Sequence, residues 1–320
     1  MIALAKVDTW EQNEQYLADS LFDETSLNWW GYGYCSGHFG ELLQGAFTSA
    51  RGNHVRALVT LPCRSIGSLA WVRVNDGDGK SLTPSGKSKV RRVVEAFRRF
   101  YNISRNVDIE VRIESTIPSG IGMGSSTADI VATVRALDQA FGVTTTGNQM
   151  IKLTLSAEAA CDSTMYCRNV KLFAQREGLL VEDFARPFMP LAILGFNLMP
   201  GDVFLTDETP PADYDERNIA LFDILRNQLR TALRAGSAEQ VANVATASAL
   251  INQLFYPKRN LENLLDLRRK LGALGICISH SGTIAGLLFS METVPTINEW
   301  RETVSEDLQT EIEPLGVFRV

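Results

Sequence analysis

Histidine is scarce in this chain of 320 residues: His38, His54 and His280 are the only three. Cysteine is nearly as rare, with Cys35, Cys63, Cys161, Cys167 and Cys277 and no Cys-x-x-Cys pair. Structural zinc sites are built from closely spaced Cys and His pairs. Cys161 and Cys167 do not have that spacing, so a zinc module is excluded. An odd number of cysteines argues against a disulfide framework and for a reduced, cytoplasmic protein. Positive charge is not in excess either: 31 basic against 37 acidic residues give −6. Such a chain is not built to coat nucleic acid or an anionic lipid surface, although a local basic patch could hold a small anionic substrate. No apolar run approaches the roughly 18 residues of a membrane span; the longest, such as residues 284–291, have the length of a core strand. The first residues, Met-Ile-Ala-Leu-Ala-Lys, turn polar by Asp8, so no secretory signal is expected. Internal repeats and low-complexity stretches are missing as well.

What is present is a globular composition, 45 % apolar and 21 % charged, in a chain long enough for one large domain or two smaller ones. Residues 1–30 read as an extension packed onto the body, ending in Trp29 and Trp30. Residues 31–45 are glycine-rich and read as a dense turn around Glu41. Alternation at 55–61 and 68–74 predicts strands, with a turn just beyond at 75–79. Residues 86–101 have helical spacing, with Val90, Val93, Val94, Phe97 and Tyr101 on one face. Their opposite face carries Lys87, Lys89, Arg91, Arg92, Arg98 and Arg99; it reads as solvated, with Lys87 and Lys89 placed to reach a phosphate. A strand at 107–113 leads into a helix at 125–141, and a second helix follows near 148–160. Pro187 and Pro190 mark a composition break, which sets the expected domains at 31–186 and 187–320. Beyond it come a buried strand at 190–196, helices over 215–252 and 260–274, and short strands at 276–279 and 284–289. The mixture lacks steady βαβ alternation, so the expected class is α+β.

The strongest chemical signal is Pro118-Ser-Gly-Ile-Gly-Met-Gly-Ser-Ser-Thr-Ala128. Gly120, Gly122 and Gly124 let the backbone adopt positive φ and pass close to a ligand. Ser125, Ser126 and Thr127 then open a helix, whose free N–H groups and dipole suit a phosphate. Ser125 or Ser126 is expected to cap that helix, and either hydroxyl could ligate Mg²⁺. A tight turn with a serine cap and no ligand is the plainer alternative. A dinucleotide fingerprint is excluded, because its third glycine would fall on Ser125. A P-loop is excluded too: Gly86-Lys87-Ser88 supplies its end, but Ser81 stands where the first glycine belongs.

Pro-x-x-x-Gly-x-Gly-Ser-Ser-x-Ala resembles the second motif of the GHMP kinases. Gly40-Glu-Leu-Leu-Gln-Gly45 and Ser279-His-Ser-Gly-Thr-Ile-Ala-Gly286 resemble the first and third motifs of one branch, the L-threonine kinases of cobalamin side-chain synthesis. Ser248-Ala-Leu-Ile-Asn-Gln253 and Pro257-Lys258 also resemble that branch, and the likeness spans residues 31–290. His38 stands where the branch usually has a small residue.

The resemblance implies a two-domain α+β kinase with its active site between the domains. ATP and Mg²⁺ would be its cofactors and a small hydroxyl compound its acceptor, with a homodimer allowed. The glycine loop, Pro118, Ser119, Gly120, Gly122, Met123 and Gly124 with Ser125, Ser126 and Thr127, would wrap the triphosphate. Ser126, and Glu158 as a second candidate one helical turn before Asp162, would hold the metal. Asp162 would face the acceptor hydroxyl, a role a carboxylate suits; capping a turn is its alternative. Glu41 is expected near a substrate, or else as a solvated acid. His280, Ser281, Gly282 and Thr283 would support the glycine loop or the acceptor side, and His280 could equally be a satisfied histidine at a strand end. L-Threonine is the favoured acceptor. Another hydroxy amino acid, an amino alcohol or a secondary-metabolite hydroxyl is the rival, and a catalytically silent binding protein is the rival of another class.

Overall fold

The computed structural model describes residues 31–166, 168–202, 210–303 and 311–320. The extension at 1–30 and Cys167 lie outside the described residues.

The chain enters through two long antiparallel strands, β1 (Gly31–Thr48) and β2 (His54–Asp76). Both differ from expectation: the glycine-rich segment is a strand rather than a turn, and 55–61 and 68–74 belong to one strand. The reason is close packing. A Cβ on Gly31 or Gly33 would lie 2.2 Å or 2.3 Å from the carbonyls of Ala136 and Ala132, so these glycines admit a helix directly onto the strand. After β3 (Ser81–Leu82) come helix α1 (Ser88–Phe100) and strand β4 (Val107–Ser115). Next are helices α2 (Ser125–Phe141) and α3 (Gly147–Ala157), then a 3-10 turn at Ser163–Tyr166. Strands β5 (Asn169–Ala174), β6 (Leu179–Pro187) and β7 (Leu191–Asn197) follow. Helices α4 (Glu216–Ala235), α5 (Ala238–Asn252) and α6 (Leu261–Leu271) precede β8 (Gly275–Ile278) and β9 (Ile284–Ser290). The last described elements are α7 (Ile297–Thr303) and β10 (Glu313–Arg319).

Local chemistry sets several boundaries. Thr146 and Gln149 form a reciprocal capping box at the start of α3, as Asp215 and Asn218 do at α4. Gly142, Gly236 and Gly272 end α2, α4 and α6 in the left-handed conformation that favours glycine.

The path through the sheet is β10-β7-β9-β8-β1-β2-β4-β3, with β5 on β2 and β6 on β5. The two halves join where Glu41 of β1 pairs with Ile278 of β8. The expected division after residue 186 falls at the end of β6, and one sheet runs across it. The larger core draws on both halves, from Phe39, Val93, Phe97 and Leu137 to Phe222, Cys277 and Leu288. A second core, with Leu194, Phe196, Leu264, Ile276 and Trp300, belongs to the later half alone. The basic face of α1 is largely engaged rather than solvated. Lys87 pairs with Asp129 at 2.6 Å, Arg92 donates to the Ala157 carbonyl, and buried Arg98 binds the carbonyls of Lys80 and Val107.

Candidate active site

The seam between β1 and β8 is irregular, and the irregularity gathers the polar groups. The β1–β2 register shifts between His38 and Glu41, where Gly40 has φ of +67°. In a regular strand, residues three apart point to opposite faces; a bulge changes the parity. Here His38 Nδ1 and Glu41 Oε1 are 4.0 Å apart, and both side chains are buried.

The glycine loop packs against this stretch. His38 N–H donates to the Met123 carbonyl at 3.1 Å, and a Cβ on Gly124 would lie 2.4 Å from His38 Cδ2 and 3.0 Å from Asp162 Oδ2. Gly120, Gly122 and Gly124 have φ of +79°, +89° and +75°, as their spacing suggested. Pro118 and Ser119 form the exposed lip of the loop, while Met123 is buried. The expected serine cap is not formed. Gly124 is the N-cap residue of α2, and no side chain caps the helix. A glycine there leaves the first-turn N–H groups of Ser125, Ser126 and Thr127 available to an anion.

Loop 279–283 supports the other side of the glycine loop. Thr283 N–H donates to the Ile121 carbonyl at 3.1 Å, and a Cβ on Gly282 would meet that carbonyl at 2.5 Å. A Cβ on Gly122 would lie 2.5 Å from the Ser281 carbonyl, so this glycine serves loop-to-loop packing. His280 is satisfied by Gln44, with Nδ1 and Oε1 2.9 Å apart, and its ring meets Tyr256 edge-on. Burial and the charges of Lys258, Arg176 and Arg56 push its pKa down to about 3, so the ring is neutral.

Glu158 and Asp162 both meet the first turn of α2 at the Thr127 hydroxyl. Helix α3 ends at Ala157 and does not continue, so Glu158 is its extended C-cap residue rather than part of a helical turn leading to Asp162. Ser126 Oγ donates to Glu158 Oε2 at 2.8 Å, Thr127 Oγ1 donates to Oε1 at 2.6 Å, and Lys89 Nζ lies 3.3 Å from Oε2. Burial raises the Glu158 pKa against these partners. The two candidate metal ligands are thus adjacent. A hydroxyl and a carboxylate beside a phosphate site fit Mg²⁺, which binds through one or two carboxylates together with substrate phosphates.

Asp162 N–H donates to Thr127 Oγ1 at 3.4 Å, and its Oδ2 lies 3.2 Å from His38 Nε2. Burial alone would raise the Asp162 pKa, but the charge and hydrogen bond of His38 hold it below the usual value. Burial alone would lower the His38 pKa, but Asp162 and Glu41 raise it to about 9. Glu41 is pushed up to about 8 by burial, with His38 opposing and Asp162 adding to the rise. At neutral pH His38 is therefore cationic beside an anionic Asp162, while burial biases Glu41 toward its neutral form.

Several buried polar atoms here have no partner among the described residues: His38 Nδ1, Glu41 Oε2, Thr283 Oγ1, and both polar atoms of Asn252. Asn252 lies one helical turn beyond Ser248, whose hydroxyl accepts from the Gln44 N–H, which places it on the same helix face. Buried groups of this kind normally find partners, so they mark positions for water or a ligand. The sequence assigned no role to His38, Gln44 or Asn252 in this cluster, and Lys89, expected to reach a phosphate, lies against Glu158. The one available signal was a histidine set in an otherwise glycine and apolar run.

Known proteins resemble this chain over most of its length. The family model described as GHMP kinases N terminal domain matches residues 88–166, and the one described as GHMP kinases C terminal matches 229–305. An L-threonine kinase of Citrobacter freundii is 27 % identical over 261 residues, 79 % of this chain and 84 % of that protein. One from Salmonella typhimurium is 26 % identical, over 79 % of this chain and 81 % of that protein. Among solved structures, a homoserine kinase from Cytophaga hutchinsonii superposes with a TM-score of 0.61 at 17 % identity, covering 90 % of this chain and 94 % of its own.

Proposed function

Because the chain belongs to the GHMP kinase family, we propose that it transfers the γ-phosphoryl group of ATP to the hydroxyl of a small molecule, with L-threonine as acceptor and O-phospho-L-threonine as product. The observation that carries the reading is the placement of Asp162. It is an anionic carboxylate fixed by His38 at 3.2 Å, beside the uncapped N-terminus of α2. The choice of threonine rests on the two L-threonine kinase relatives, each matched over most of its length.

Phosphoryl transfer needs positioning and charge neutralisation more than covalent chemistry. The first-turn N–H groups of α2 and the glycine-loop backbone would receive the β- and γ-phosphates. Ser126 and Glu158 would hold Mg²⁺, which neutralises phosphate charge when bound. Lys89, 3.3 Å from Glu158, adds positive charge on the same side. Asp162 would orient the acceptor hydroxyl and take its proton late in the transfer. Glu41, Asn252 and Thr283 present the buried polar atoms available to the rest of the acceptor. No helix among the described residues is long and apolar enough to cross a membrane, and both substrates proposed are small and water-soluble.

The test is MgATP turnover over a panel of L-threonine, L-serine, L-homoserine, an amino alcohol and a hydroxy acid, with the phosphorylated product identified by mass. Threonine should give the highest kcat/KM. A stronger response to another hydroxyl compound would move the acceptor within the family. ATP binding without turnover on any of them would favour a silent binding protein.

A further inference from the structure

Lys258 is 4 % exposed, and its amine points into the junction of the two loops. Nζ donates to the Gly282 carbonyl at 2.8 Å. Its backbone is held on both sides by one glutamine: Lys258 N–H donates to Gln253 Oε1 at 2.9 Å, and Gln253 Nε2 donates to the Lys258 carbonyl at 2.8 Å. Gln253 is the C-cap residue of α5, the helix that Ser248 ties to β1. The amine therefore extends from a fixed anchor.

Its target is poised to transmit position. Gly282 has φ of +110°, and a Cβ there would be 2.8 Å from Gly122 Cα as well as 2.5 Å from the Ile121 carbonyl. The peptide that Lys258 grips is thus the one leaning on the glycine loop. Burying an ammonium to hold one carbonyl is costly, so the contact marks a point at which this loop is held. Burial lowers the Lys258 pKa to about 8, and the nearby charge of Glu41 opposes that fall.

We propose that Lys258 is a positioning residue for the nucleotide side, its hydrogen bond to Gly282 setting the glycine loop for ATP. The inference rests on the kinase reading above, and the experiment separates the two. Wild type, Lys258→Met and Lys258→Gln are compared for fold by circular dichroism and melting, for ATP affinity by calorimetry, and for both Michaelis constants. Lys258→Met removes a hydrogen bond made by a charged group, the strong kind, so it should weaken ATP binding about tenfold or more. Lys258→Gln keeps a donor but no charge. It should recover most of the ATP affinity, and the KM for threonine should change far less than the ATP affinity in both variants. Wild-type ATP affinity in Lys258→Met overturns the proposal. So does loss of fold in both variants, which would make Lys258 a core residue. Failure of the wild type to bind ATP at all would instead overturn the kinase reading.

Discussion

Replacing His38 by Gln tests whether the buried cation beside Asp162 keeps that carboxylate ionised. The amide can still donate to Asp162 Oδ2 across the observed 3.2 Å but carries no charge. The pKa of His38 is raised from 6.5 to about 9. At ~1.36 kcal/mol per unit this is a net preference of about 3 kcal/mol for the protonated ring, left after burial opposes it and Asp162 and then Glu41 favour it. Because the charge and hydrogen bond of His38 are what hold the Asp162 pKa down, the substitution should raise it. Burial already pushes that carboxyl upward. The acid limb of kcat/KM, measured with saturating MgATP, should therefore move to higher pH. Stability gives an independent readout. Because the folded His38 pKa lies above the unfolded value, its contribution is fully present below pH 6.5 and is lost as pH rises through about 9. Glu41, raised from 4.5 to about 8, acts in the same direction over its own range. Lys258, lowered from 10.5 to about 8, acts oppositely above pH 8. Wild type should lose stability most clearly between pH 6.5 and 8, and His38→Gln should flatten that slope in urea titrations. An unmoved acid limb together with an unchanged slope would refute the reasoning.

Asp162→Asn should leave ATP binding intact and reduce turnover by roughly 10²-fold, the lower end for general-base catalysis because a loose transition state needs little early deprotonation; single-turnover kinetics at several pH values check it, and a wild-type rate removes Asp162 from the mechanism. Ser126→Ala removes the hydroxyl that donates to Glu158 at 2.8 Å; it should raise the Mg²⁺ concentration needed for half-maximal rate while the melting temperature without ligand stays close to wild type. Unchanged Mg²⁺ dependence would shift the metal role to Ser125 or to Glu158 alone. Glu41→Gln should raise the KM for threonine far more than that for ATP, measured by ADP release with each substrate varied in turn, and a change confined to ATP would place Glu41 on the nucleotide side.

Much of the scaffold was legible because its signals are local. The helix expected at 125–141 is observed as Ser125–Phe141, between the left-handed Gly124 and Gly142. The apolar runs of β7 and β9 also stood out, since both are buried almost throughout. Strands β5, β6 and β10 were not seen. Much of β6 and β10 is exposed or only half-buried, which weakens the hydrophobic pattern. The β1 segment was misread because its glycines carry two meanings. Gly31 and Gly33 look like turn residues in a list of letters, yet each is small because a helix carbonyl lies where its Cβ would be.

The site shows the same division between local and long-range information. Three alternating glycines before a run of hydroxyl residues announce a phosphate loop, and each does adopt positive φ. Nothing near Asp162 in the chain announces His38, because the pair forms only when β1 folds past the N-terminus of α2. Nor could the sequence show that Gly124 would cap the helix in place of a serine, freeing the Ser126 hydroxyl for Glu158. That exchange has a chemical consequence. A serine cap would occupy one of the first-turn N–H groups with its own oxygen. The glycine leaves those donors to a phosphate and lets the hydroxyl face the carboxylate. The αL glycine at residue 124 thus supports both proposed functions of the loop, anion binding and metal binding, and its nearest neighbour, His38, leaves no room there for a Cβ.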